Sequence, residues 1–84
     1  MADYEFTDHA RDMLAERKIE SLWVAQTMEA PDKRQAMQDG IVHFIKKIEA
    51  CGGRYLRVIV NAQSSPGKII TVFFDRRLRK QNET

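Results

Sequence analysis

From Ile41 to Asp75 the chain reads IVHFIKKIEACGGRYLRVIVNAQSSPGKIITVFFD, and apolar residues recur in it with a period of two. That period divides the stretch into three strand-like segments, Ile41 to Ala50, Arg54 to Asn61 and Lys68 to Asp75. The links Cys51-Gly52-Gly53 and Ser64-Ser65-Pro66-Gly67 are turn signals short enough for antiparallel hairpins. Within the segments the even positions are the apolar set: Val42, Phe44, Ile48 and Ala50, then Leu56, Val58 and Val60, then Ile70, Val72 and Phe74. They are expected to face a layer of helices. The odd positions, His43, Lys47, Glu49, Tyr55, Arg57, Asn61, Thr71, Phe73 and Asp75, are mixed and are expected to form a polar, accessible face.

Parity restricts the first turn, because even residues meet even residues across two strands only if the loop has an odd number of residues. A three-residue loop pairs Ile48 with Leu56 and sets Lys47 opposite Arg57. Like charges so placed cost up to about 1 kcal/mol, so their retention would suit an anionic ligand. A five-residue loop pairs Glu49 with Arg57 as an ordinary cross-strand salt bridge. Both registers are compatible with the residues.

Upstream the period changes. Tyr4-Glu5-Phe6 alternates as a short edge strand would, and Thr7 or Asp8 is a suitable N-cap. Ala10, Met13, Leu14 and Arg17 then repeat at helical spacing, up to a break at Lys18-Ile19. A second helix is expected from Glu20 or Ser21 to Ala30, with Leu22, Val24, Ala25 and Met28 apolar, Trp23 as a packing anchor, and Pro31-Asp32 as its stop. Asp32 to Gly40 is polar and aperiodic and reads as a loop. The expected fold is therefore α+β: two N-terminal helices packed on one face of a three- to four-stranded, mostly antiparallel sheet.

Eighty-four residues leave room for one domain, residues 1–84, with a basic tail from about Arg76. At 43% hydrophobic and 31% charged the chain is too apolar for a disordered segment. No run approaches the roughly 18 apolar residues of a membrane span, and the acidic N-terminus lacks the pattern of a signal peptide. Cys51 is the single cysteine, suited to packing beside a turn. With no disulfide framework the cytoplasm is the natural compartment. The net charge of +2 conceals an asymmetry. Residues 1–40 carry five lysines and arginines against nine acids, a balance of −4, and residues 41–84 carry nine against three, a balance of +6. If the second half forms one surface, it would attract a polyanion.

No dinucleotide, P-loop, zincin or serine-hydrolase motif is present. Two histidines and one cysteine cannot build a standard zinc site, so any catalysis is expected to need neither metal nor cofactor. The residue types that remain suit metal-free RNA cleavage. His9, with Tyr55 as second candidate, could move the proton of a ribose 2′-hydroxyl. Arg57 and Arg17 could stabilise the phosphorane, and Thr71 could orient a phosphate oxygen. Lys47, Arg57, Arg76, Arg77, Arg79 and Lys80 are the candidate phosphate contacts.

The opening FTDHARDMLAERKI, the later YLRVIV and the closing IITVFFDRR together resemble an uncharacterised bacterial domain family (domain of unknown function 4258) within the RelE/BrnT-like ribonuclease toxin superfamily. The resemblance runs from about Phe6 to Arg77. Its landmarks are His9-Ala10-Arg11, Arg17 to Ile19, Arg57 within LRVIV and Thr71 within the last strand. The chain departs from the pattern at Lys18 and Glu20, where relatives often place a glycine and a serine or threonine cap. It also carries a thinner basic set than potent toxins. The resemblance implies a RelE-like fold and a metal-independent endoribonuclease of toxin–antitoxin type acting on RNA, including ribosome-bound messenger RNA, with a cognate antitoxin as partner. The alternative functions are a non-catalytic RNA-binding or regulatory module and a partner-binding scaffold.

Overall fold

A computed structural model describes residues 4–64 and 66–76. The elements in chain order are β1 (Tyr4–Phe6), α1 (Asp8–Arg17), α2 (Ser21–Glu29), β2 (Lys33–Ala36), β3 (Ile41–Ile48), β4 (Arg54–Asn61) and β5 (Gly67–Phe74), with short 3₁₀ turns at Gln38–Gly40 and Glu49–Cys51. The sheet is mixed and five-stranded in the order β1-β5-β4-β3-β2, with β1 running parallel to β5 and the other pairs antiparallel. Two helices on one face agree with the expectation, but the sheet is wider than three or four strands.

The extra strand is β2, in the stretch read as a loop. Lys33 to Ala36 pair with Ile45 to Val42, and the link between β2 and β3 is the Asp39-Gly40 turn. Both turn residues take positive φ, 61° and 74°, and the Ile41 N–H donates to the Gln38 carbonyl. Asp-Gly is the pair that tolerates this backbone most readily. An edge strand buries little, so β2 needs no apolar alternation and left none in the sequence.

Thr7 joins β1 to α1. Its hydroxyl accepts the Ala10 N–H at 3.1 Å as the N-cap, and it lies 3.0 and 3.1 Å from the carbonyls of Ile69 and Ile70, to one of which it donates. Lys18 ends α1 in the left-handed conformation, φ 55°. Helix α1 rests on β5 and β1, and α2 on β4 and β3. Between helices and sheet lie Ala10, Ile19, Val24, Val42, Phe44, Ile48, Leu56, Val58, Val60, Ile69 and Val72, with Trp23, Met28, Cys51 and Phe74 packed at the margin.

Three details differ from the alternation read in the sequence. Opposite Ile59 and Val60 stand Thr71 and Ile69, so Ile70 is an extra residue in a bulge and Ile69 takes the inward position expected of Ile70. The β3–β4 loop spans five residues, Glu49 to Gly53, and pairs Ile48 with Arg54 and Lys47 with Tyr55. Arg57 consequently faces Ile45 and Phe73 rather than Lys47 or Glu49. On α2, Thr27 is buried, its hydroxyl donating to the Trp23 carbonyl at 2.8 Å, while Leu22 stays 58% exposed.

Gly67 carries a test of the β1–β5 edge. A Cβ there would stand 2.6 and 2.7 Å from Cε1 and Cδ1 of Tyr4, whose ring meets Phe44 edge-on at 6.4 Å. Gly67→Ala is expected to displace that ring and cost about 1–3 kcal/mol as an overpacked site. A denaturant titration with unchanged midpoint would show that the ring is not held there.

Candidate functional site

The side chains expected to form one site are distributed over both sides of the sheet. His9 is exposed in the first turn of α1 and Arg17 is exposed in its last turn, on the helix side. Tyr55, Arg57 and Thr71 project from the opposite face of β4 and β5, and Lys47 is exposed on β3. A proton donor at His9 and a guanidinium at Arg57 are thus separated by the sheet and cannot meet at one phosphorus atom. Arg76 is exposed. Arg77, Arg79 and Lys80 lie outside the described residues.

Arg57 has instead a set of protein partners. Its Nε donates to Asp75 Oδ2 at 2.9 Å, and its second terminal nitrogen forms an ion pair with the same oxygen at 2.9 Å. The first terminal nitrogen stands 2.8 Å from His43 Nδ1 and 3.5 Å from Gln35 Oε1. Side-chain exposure is 11% for Arg57 and 3% for Asp75, and Ile45, directly opposite Arg57, is 2% exposed. The face read as accessible and polar is therefore closed at its centre by an ion pair. An arginine can only donate, so His43 Nδ1 accepts and the neutral ring carries its proton on Nε2. The imidazole borders a shallow depression lined by Ala36, Met37, Gln38 and Ile41.

Desolvation, with the Arg57 charge second, lowers the His43 pKa below 6.5. The unfolded chain then takes up a proton that the native state refuses, so this group's contribution is complete above about pH 6.5 and declines as the pH falls through the native pKa. Thermal melts of wild type and His43→Gln at pH 7.5, 6.5 and 5.5 should diverge in slope, with the wild type losing more on acidification. Parallel curves would show that His43 titrates as it does unfolded.

A second cationic group lies on the helix side, at positions the sequence reading left out. Arg34 stacks over Phe44 at 5.7 Å, and Arg54 over Phe74 at 4.3 Å. Phe74 in turn meets the Trp23 ring at 6.2 Å and 61°. Between the two arginines Lys46 donates to the carbonyl of Ala30, at the end of α2, at 3.0 Å. Arg34, Lys46 and Arg54 thus cross β2, β3 and β4 diagonally beside α2. The available signal was Lys46 itself, a charged residue at an even position of β3, whose other even positions, Val42, Phe44 and Ile48, are apolar.

Among the described residues no group of three or more His, Cys, Asp or Glu side chains is placed to hold a metal ion, and no helix is long and apolar enough to cross a membrane. No curated protein and no solved structure matches the chain. Residues 6–74, from the last residue of β1 to the end of β5, match one family profile over most of the chain, and by that match the protein belongs to the family described as Domain of unknown function (DUF4258).

Proposed function

We propose that this domain is a RelE-like RNA-binding module that holds single-stranded RNA by its phosphates without cutting it. The observation that carries the reading is the separation of functions across the sheet. Arg34, Lys46 and Arg54 share one side, whereas His9, the first candidate for the proton, and Arg57 are on opposite sides. Arg57 is moreover committed to Asp75 and His43. The RelE-like placement rests on the resemblance in the His9-Ala10-Arg11, Arg57 and Thr71 segments.

Three phosphate contacts give a log–log slope of affinity against salt of about −2 on single strands. Lys46→Ala combined with Arg54→Ala should reduce it to about −0.7, read by fluorescence anisotropy of a labelled oligoribonucleotide. The same RNA should remain intact in EDTA and in Mg²⁺. An affinity insensitive to salt would remove the reading.

A second reading, a metal-independent endoribonuclease of toxin type with a cognate antitoxin, is favoured by one observation. The neutral His43 imidazole stands beside Arg57 on the face that also carries Tyr55 and Thr71. It requires cleavage that persists in EDTA, leaves 2′,3′-cyclic phosphate ends and is lost in His43→Ala.

A further inference from the structure

Resting on the RNA-binding reading, we propose that the cleft between α2 and the end of the β3–β4 hairpin takes one unpaired base, stacked on Trp23, while the flanking cations hold the backbone. The cleft measures about 560 Å³ and is lined by Leu22, Trp23, Gln26, Lys46 and Ile48, a volume within the range of small-molecule sites. Its chemistry suits a base better than a phosphate. Asp32 and Glu49 border it together with Lys46 and Lys47, so its own charge is near zero and an uncharged planar group enters without an electrostatic cost. The Asp32 carboxylate is fixed there by the Lys47 backbone N–H at 2.8 Å.

The half-buried indole is braced edge-on by Phe74, which itself lies under Arg54. A braced aromatic ring at the wall of an open cleft is a stacking platform. Every base offers a π-face to it, so the contact tolerates sequence. Leu22 and Ile48 supply apolar walls for the base edges, and the Gln26 amide offers both a donor and an acceptor. Arg54 beyond Phe74 and Arg34 beyond Lys46 stand where the chain would enter and leave, and the phosphates on either side of the bound base meet them.

Trp23 is the single tryptophan of the chain, so its emission reports this cleft alone. Titration of the full chain with a mixed-sequence ten-residue oligoribonucleotide should quench that emission with the same midpoint as the anisotropy of a labelled copy. An abasic oligomer of equal length keeps the phosphates and loses the stacking. It should bind roughly 5- to 100-fold more weakly and leave the emission unchanged. Equal binding of both oligomers with no quenching would overturn the base site and leave the phosphate reading standing. Binding of neither would overturn both. Trp23→Phe, followed by anisotropy, should retain most of the affinity because a ring remains, whereas Gln26→Arg should fill the cleft and remove the preference for the base-bearing oligomer.

Discussion

Replacing Asp75 with alanine is expected to destabilise the domain by about 3–5 kcal/mol, because it leaves the Arg57 guanidinium, 11% exposed, without its counter-charge. For a domain of this length each kcal/mol moves the thermal midpoint by about 4–8 °C. Total stability is of order 0.05–0.15 kcal/mol per residue, so the variant should be partly unfolded at physiological temperature. Arg57→Ala should be costly for the complementary reason. Arg57→Met combined with Asp75→Leu should recover most of the loss, since a buried ion pair replaced by apolar side chains of similar size is often neutral. Chemical denaturation of the three variants checks this. A cost under about 1 kcal/mol for Asp75→Ala would mean that the pair is solvated and contributes as a surface pair does. The expected instability also has a functional consequence. Loss of activity in an Arg57 variant cannot be assigned to lost RNA contacts unless its fold is measured in the same experiment.

Leu56→Ala should cost about 2–5 kcal/mol, since Leu56 is fully buried beneath α2 and its side chain would leave a cavity that strands β3 and β5 on either side cannot collapse to fill. Leu22→Ala deletes the same atoms from a residue that is 58% exposed and should stay within about 0.5 kcal/mol. Urea midpoints at constant m-value are the measurement. A comparable loss in both would place Leu22 in the core and overturn the orientation of α2 described above.

All strands but the edge strand β2 were legible to within a residue or two, because alternation is imposed on strands with one face against the helices. Val42, Phe44, Leu56, Val58, Val60 and Val72 are inward in the structure as the pattern requires. The register was not legible. Parity excludes half of the pairings, but three- and five-residue loops around Gly52-Gly53 satisfy it equally, and the observed pairing of Ile48 with Arg54 differs from both written alternatives. Helix α2 was placed correctly along the chain but not about its axis. Over nine residues Leu22-Val24-Ala25-Met28 and Trp23-Val24-Thr27-Met28 describe stripes only a fraction of a turn apart.

By itself the sequence determined the two helices, the strands β1, β3, β4 and β5, an N-cap at Thr7 or Asp8, the parity of the core face and the opposite charges of the two halves. These follow from interactions within a few residues, whose free energies depend on local spacing and not on what lies across the molecule. Tertiary structure alone decided that Ile69 replaces Ile70 in the core, that Lys33 to Ala36 become an edge strand, and that Arg57 belongs to Asp75 and His43. Each depends on pairing between segments far apart in the chain. A one-residue bulge or a shift of two in register there exchanges a residue's neighbours while leaving the hydrophobic pattern unchanged.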